Sequence, residues 1–251
     1  MRVAWVHPTW RDLVIERLAG DAELRRHFLA CCGPHGIVLA LSTEGGAAGE
    51  RALPLVVDDE DWDALGDRIY GLVPELDHAE LVAVLRALRA VLETMTTDWT
   101  AAGEARVLAR MTLERTASLW ESAAKPVLLD CVDAWLTLSD RLGQPQVWPG
   151  FLAATWADLL PAQLPEAHDL AEMQRFADWV TLCELLGEFS PELLGELGYG
   201  AGQDELVRSF REGVLGGSEI LTGSAAGPTP SHDIPASEIA DTTIRRVLAD
   251  L

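Results

Sequence analysis

Apolar residues recur at three- and four-residue intervals along nearly the whole chain, the spacing of helices that bury one face. The first stretch carries Trp10, Leu13, Val14 and Leu18, with Thr9 placed to cap its start and Gly20 to end it. Asp21 caps a second predicted helix, Ala22 to Cys32, with Leu24, Phe28, Cys31 and Cys32 inward and Arg25 and Arg26 toward water. Gly33-Pro34 stops it, and a third short helix follows through Ile37, Val38, Leu39 and Leu41. After the loop Glu44-Gly45-Gly46-Ala47-Ala48-Gly49, the stretch Leu53-Pro54-Leu55-Val56-Val57 is apolar but irregular, because Pro54 argues against a central strand.

From Asp58 the helices lengthen, over 59–72, 78–94, 100–122, 126–142, 147–160 and 167–187, with shorter ones at 191–197 and 203–214. Several carry two apolar stripes. In 78–94, Leu81, Leu85, Leu88 and Leu92 form one stripe while Val84 and Val91 open a second. In 126–142, Leu128, Cys131, Trp135, Leu138 and Leu142 are joined by Leu129, Val132 and Leu136. A helix wet on one side needs one stripe, so two predict packing on two sides, as in stacked helical hairpins or a multi-helix bundle. Trp62, Trp135, Trp156 and Trp179 fall on such stripes and read as core. Residues 215–236, with Gly216-Gly217 and Gly227-Pro228-Thr229-Pro230, have the composition of a flexible linker. Residues 237–251 then form an amphipathic helix with Ile244, Val247, Leu248 and Leu251 on one face; being short, it needs a surface to dock on.

Charge divides the chain. Residues 1–53 hold six arginines and six acids, so the entire −21 falls on residues 54–251. Such a field repels phosphate backbones and anionic membranes, which argues against direct nucleic-acid binding. The single lysine, Lys125, sits in Ala124-Lys125-Pro126, so the Gly-x-x-x-x-Gly-Lys-Ser/Thr cradle for nucleotide phosphates is absent from the chain. No apolar run reaches the roughly 20 residues of a membrane span, and no basic-then-apolar leader opens the chain, which points to the cytoplasm. Cys31, Cys32, Cys131 and Cys183 suit neither a disulfide framework nor a zinc motif, and read as buried reduced thiols.

The segment His7-Pro8-Thr9-Trp10-Arg11-Asp12-Leu13 resembles the end of the winged-helix module in STAND-type NTPases, the NACHT-like signalling ATPases whose bacterial members are associated with phage defence. The likeness continues through Gly36 to Leu41, Gly45-Gly46, Arg51-Ala52-Leu53-Pro54 and Val57-Asp58-Asp59-Glu60-Asp61-Trp62-Asp63, covering about residues 3–95. It implies that His7 reaches the terminal phosphate of bound ADP when an NTPase module is present, and that ATP or ADP acts only through that module; no cofactor is expected in this chain itself. An imidazole N–H donating to a phosphate suits such a role.

Other constellations are weaker. Asp58, Asp59, Glu60, Asp61 and Asp63 lack calcium-loop spacing and fit the first turn of a helix, where acids complement the dipole. Gly45-Gly46-Ala47-Ala48-Gly49 reads as a turn, without the spacing or preceding strand of a dinucleotide loop. Ser231-His232-Asp233 and His168-Asp169 are sequence neighbours, whereas triads converge in space from a rigid scaffold. His27, His35 and His78 lack metal-ligand spacing.

The sequence therefore predicts an all-α protein with a winged-helix-like end (1–57), an acidic helical array (58–214), a linker (215–236) and a docking helix (237–251). No catalytic or metal residues are assigned. The expected function is a non-catalytic regulatory or sensor segment working by protein–protein contact, with His7 as nucleotide sensor. Trp10, Arg11, Ile244, Val247, Leu248 and Leu251 are the interaction residues. The expected partner is a protein or NTPase module, with self-association through the last helix as a further route. The alternatives are a free-standing acidic nucleic-acid mimic, a helical scaffold, and a metal hydrolase built on the acidic cluster.

Overall fold

A computed structural model describes residues 8–42, 55–94, 99–123, 127–143, 148–161, 163–165 and 169–222. Among these the chain is all-α, with no strand. The helices are α1 (Pro8–Ala19), α2 (Ala22–Cys31), α3 (Pro34–Leu41), α4 (Asp59–Leu72), α5 (His78–Thr94), α6 (Trp99–Ala123), α7 (Leu129–Leu142), α8 (Gly150–Leu159), α9 (Leu170–Phe189), α10 (Pro191–Glu196) and α11 (Ala201–Thr222). The chain forms two compact units that divide between Ala154 and Thr155, inside α8. Residues 57 and 58 both lie in the first unit, where α2 packs on α4 and α3 on α5.

Chain punctuation explains the helix starts. Pro8 and Pro34 occupy the first turns of α1 and α3, where a missing N–H costs nothing and φ is already helical. Helix α1 thus begins one residue before Thr9, which lies inside it rather than capping it. Asp21, Asp58 and Asp169 cap α2, α4 and α9 through their carboxylates. Asp77 and Glu80 form a reciprocal capping box at α5: Glu80 N donates to Asp77 Oδ1 at 2.8 Å and Asp77 N to Glu80 Oε2 at 3.2 Å. Gly143 ends α7 at φ +89°, a left-handed conformation that favours glycine.

The faces turned inward differ from expectation at the start of the chain. In α1, Ile15 and Leu18 are buried while Leu13 and Val14 are 53% and 37% exposed. In α2, Arg25 and Leu29 are buried, followed by Cys32 just past the helix end, whereas Leu24 and Cys31 are exposed. The inward set follows four- and three-residue spacing through Arg25, so the expectation that Arg25 faces water is corrected; Arg26 is half-buried. Helix α3 approaches α2 closely at Gly36, where a Cβ would lie 2.6 Å from Cys32 Cβ.

Further along, the two-stripe reading holds. Both stripes of α5 are buried, Leu81, Leu85, Leu88 and Leu92 together with Val84 and Val91, because α3, α6 and α7 all pack against it. Helix α7 buries Cys131, Val132, Trp135, Leu136 and Leu138, and Trp135 Nε1 donates to Leu113 O of α6 at 3.2 Å. Leu128, expected in its stripe, precedes the first helical residue and is 55% exposed. Phe151 meets Trp120 and Trp135 edge-on at 4.8 and 5.3 Å.

The second unit is built around Trp156, Phe176 and Trp179, joined by Tyr199 and Phe210 in a chain of ring contacts with centroids 4.6–6.4 Å apart. Its last described helix, α11, runs through Gly216-Gly217 to Thr222, so helix persists into the stretch expected as linker. The rest of that stretch, and the expected docking helix 237–251, lie outside the described residues.

Candidate functional site

The densest polar construction in the described structure joins α2 to the start of α4. It grows from two local patterns. Asp21 at the cap of α2 sets Arg25 and Arg26 one turn in, on the side that meets α4. At α4, Asp58 caps the helix and Asp59, Glu60 and Asp61 fill the first turn, where unpaired backbone N–H groups favour acids.

These patterns interlock. Arg25 Nε donates to Asp61 Oδ2 at 2.9 Å, and the same oxygen accepts from Val57 N at 3.0 Å. Arg25 Nη1 also donates to Ala19 O at 3.3 Å, so this arginine ties the end of α1 into the joint. Arg26 Nη2 donates to Asp58 Oδ2 at 2.9 Å and its Nη1 pairs with Glu60. Asp58 Oδ1 accepts from Asp61 N at 2.9 Å. Two turns further along α4, Arg68 Nε donates to Cys32 O at 2.7 Å, at the end of α2.

Burial separates the two arginines. The side chains of Arg25 and Asp61 are 6% and 0% exposed, whereas that of Arg26 is 37% exposed. Removing one member of a buried pair strands a charge away from water at a cost of about 3–5 kcal/mol, while exposed pairs contribute about 0–1 kcal/mol. Arg25–Asp61 therefore dominates and Arg26 trims it. Asp61 Oδ1 and Arg26 Nε lack a well-aligned hydrogen bond yet lie 3.5 Å apart, so that contact is coulombic. The Asp61 N–H and the Arg26 guanidinium hold the Asp58 carboxyl below its ordinary value, and Asp58 in turn raises Arg26.

The arrangement is an electrostatic clamp. Asp58, Glu60 and Asp61 point into arginines, and among the described residues no three His, Cys, Asp or Glu side chains are grouped to hold a metal. Asp58 also caps, as the first-turn reading predicts. Asp169 is occupied as the cap of α9, accepting from Ala171 N and Glu172 N. His27, His35 and His78 are exposed. Burial pushes the Cys131 thiol up to about 11 and Cys183 to about 12, which keeps both neutral and unreactive near pH 7.

The sequence-predicted site residues are not brought together in what is described. His7, Ile244, Val247, Leu248 and Leu251 lie outside the described residues, as does Ser231-His232-Asp233. Trp10 and Arg11 are in α1, with side chains outside the description. Sequence reasoning missed the clamp, although a signal existed: Asp61 stands four residues before Leu65 and eight before Ile69, on the apolar stripe of α4. No family model, curated protein or solved structure matches the chain.

Proposed function

We propose that this chain is a non-catalytic regulatory or sensor segment of a STAND-type NTPase signalling system, cytoplasmic and working by protein–protein contact. The observation that carries the reading is the exposure of Leu13, Val14 and Leu24 on α1 and α2, in the electrically neutral region that resembles the end of a winged helix. Apolar side chains left in water there suit a second protein body. The clamp gives such a contact a consequence. A push on α2 is passed to α4 through Arg25–Asp61, and from α4 to α6, which it packs against.

Two further features favour this reading over its rivals. A nucleic-acid mimic needs carboxylates in a phosphate-like row on one face. Here acids occur on every described helix except α3, and several are engaged by arginine, as in Arg86–Asp133 and Arg211–Glu184. A hydrolase built on the acidic cluster would need Asp58 and Asp61 free to hold a metal, and both are committed to the clamp. Among the described residues no helix is long and apolar enough to cross a membrane.

The test mixes the purified chain with a separately expressed NACHT-type ATPase module from the same genome and follows binding by calorimetry with ADP and with ATP. The expected result is association whose strength depends on the nucleotide, weakened by Leu13→Glu and made nucleotide-insensitive by His7→Ala. Absence of binding in either nucleotide, or ATP hydrolysis by the chain alone, overturns the reading.

A further inference from the structure

Helix α11 follows α10 in the second unit through a very short connection. Helix α10 closes on itself: Gly198 N donates to Gly195 O at 3.1 Å and Tyr199 N to Leu194 O at 3.2 Å. Gly198 takes φ +84°, the left-handed conformation of such helix ends. Helix α11 opens just as locally, with Gly200 N donating to Gln203 Oε1 at 3.1 Å and Gln203 N to Gly200 O at 2.9 Å. These hydrogen bonds return to their own helices, and the two backbone torsions of Tyr199 lie between them. Rotation about Tyr199 therefore swings α11 without breaking a backbone hydrogen bond at either helix end.

What resists that rotation is side-chain contact. The Tyr199 ring lies 6.2 and 6.4 Å from those of Trp156 and Trp179, and its hydroxyl donates to the Asp204 carboxylate of α11. Phe210 meets Phe176 at 4.6 Å, and Arg211 pairs with Glu184 of α9. Among its described side chains α11 buries Val207 and Phe210, whereas α9 buries seven. The thiol of Cys183, 6% exposed on α9, lies within electrostatic reach of both Tyr199 and Asp204.

We propose that α11 is a hinged arm that swings about Tyr199 as a unit, while α9 and α10 stay folded, and so covers and uncovers Cys183. The arm separates before the body because few side chains hold it and its backbone hydrogen bonds are its own. Closed, it keeps the thiol dry, neutral and unreactive. Open, it admits water, and the thiol returns toward its ordinary acidity and reactivity. The accessibility of one sulfur is thus set by the position of one helix. The proposal stands on the second unit alone and does not depend on the link to an NTPase.

The test follows alkylation of the folded full chain by N-ethylmaleimide, mapped to each cysteine by peptide mass spectrometry. Cys31 is exposed and gives the rate of a thiol that needs no opening. Cys183 is expected to react more slowly than Cys31, yet at least about tenfold faster than α9 unfolds, as read by hydrogen exchange of its peptides. Low urea should leave that rate nearly unchanged, since the swing exposes little surface. Phe210→Ala is expected to speed Cys183 labelling by at least about tenfold without changing exchange in α9. Arg211→Glu, which repels Glu184, is expected to speed it severalfold, although an added negative charge alone would make the thiol less reactive. Adding Glu184→Arg should reverse that gain. Labelling of Cys183 that rises steeply with urea in step with α9 exchange overturns the proposal, as does an equal rate in wild type and both single variants.

Discussion

The joint between α2 and α4 and the layer formed by α5 with α6 and α7 solve the same problem, holding helices together, by opposite means. At the first, Arg25 and Asp61 are buried in each other's company. At the second, α5 offers Leu81, Val84, Leu85, Leu88, Val91 and Leu92 to neighbours on more than one side. Apolar burial is non-directional and tolerates small adjustments of helix position. A buried ion pair is directional, because its two members leave water only if they meet. The apolar layer thus supplies most of the stability, and the clamp fixes one register of α2 on α4.

The sharpest way to break this comparison is to remove one member of each construction. Arg25→Met leaves Asp61 buried without its cation and is expected to cost about 3–5 kcal/mol in urea unfolding, whereas Arg25→Met with Asp61→Leu should recover most of that loss. A double variant as unstable as the single would show that the clamp is more than paired charge. Leu88→Ala, in the apolar layer, is expected to cost about 2–5 kcal/mol, with no second substitution restoring it unless it refills the volume.

pH separates the two regions further. Asp58 in the clamp has a lowered pKa, so its contribution is present above the ordinary carboxylate value of 3.8 and lost as pH falls below it. Cys131 in the apolar layer has a raised one, so its thiol stays protonated when folded but ionises when unfolded. Its contribution is whole below pH 9.0 and lost toward about 11, at no more than about 1.4 kcal/mol per pH unit. A thermal melting series is expected to fall on both flanks. Cys131→Ala should flatten the alkaline flank alone; an unchanged alkaline slope would remove Cys131 from the account. Smallest is the cap: Asp169→Ala is expected to lower stability by about 1 kcal/mol, and Asp169→Asn by much less, since the amide oxygen still accepts from Ala171 N and Glu172 N.

The helical fold was legible because its punctuation is local. Asp58 and Asp77 start helices that end at Leu72 and Thr94, and the apolar spacing between them is regular. The doubled stripes of α5 and α7 announced layers for the same reason. The clamp was not legible, because Arg25 read alone is a charged residue on a short helix. Its inward position becomes sensible only beside Asp61, 36 residues later. Leu13 and Val14 misled in the opposite sense: apolar type suggested burial, while the α1–α2 turn directs Ile15 and Leu18 inward. Of the interaction residues expected from sequence, Trp10 and Arg11 share α1 with the exposed Leu13 and Val14, and the others fall outside the described residues.

Arg25 also settles what kind of stimulus can open the joint. Its charge and that of Asp61 leave water only together, so opening asks for a force that parts the two helices rather than an adjustment of one side chain. A partial separation is the worst state, with both charges parted and neither yet hydrated. The helices are therefore expected to be either together or fully apart, with little population between. Val57 N–H, which donates to Asp61 Oδ2, and Asp61 N–H, which donates to Asp58 Oδ1, should then exchange with solvent at one shared rate, the frequency at which α2 lets go.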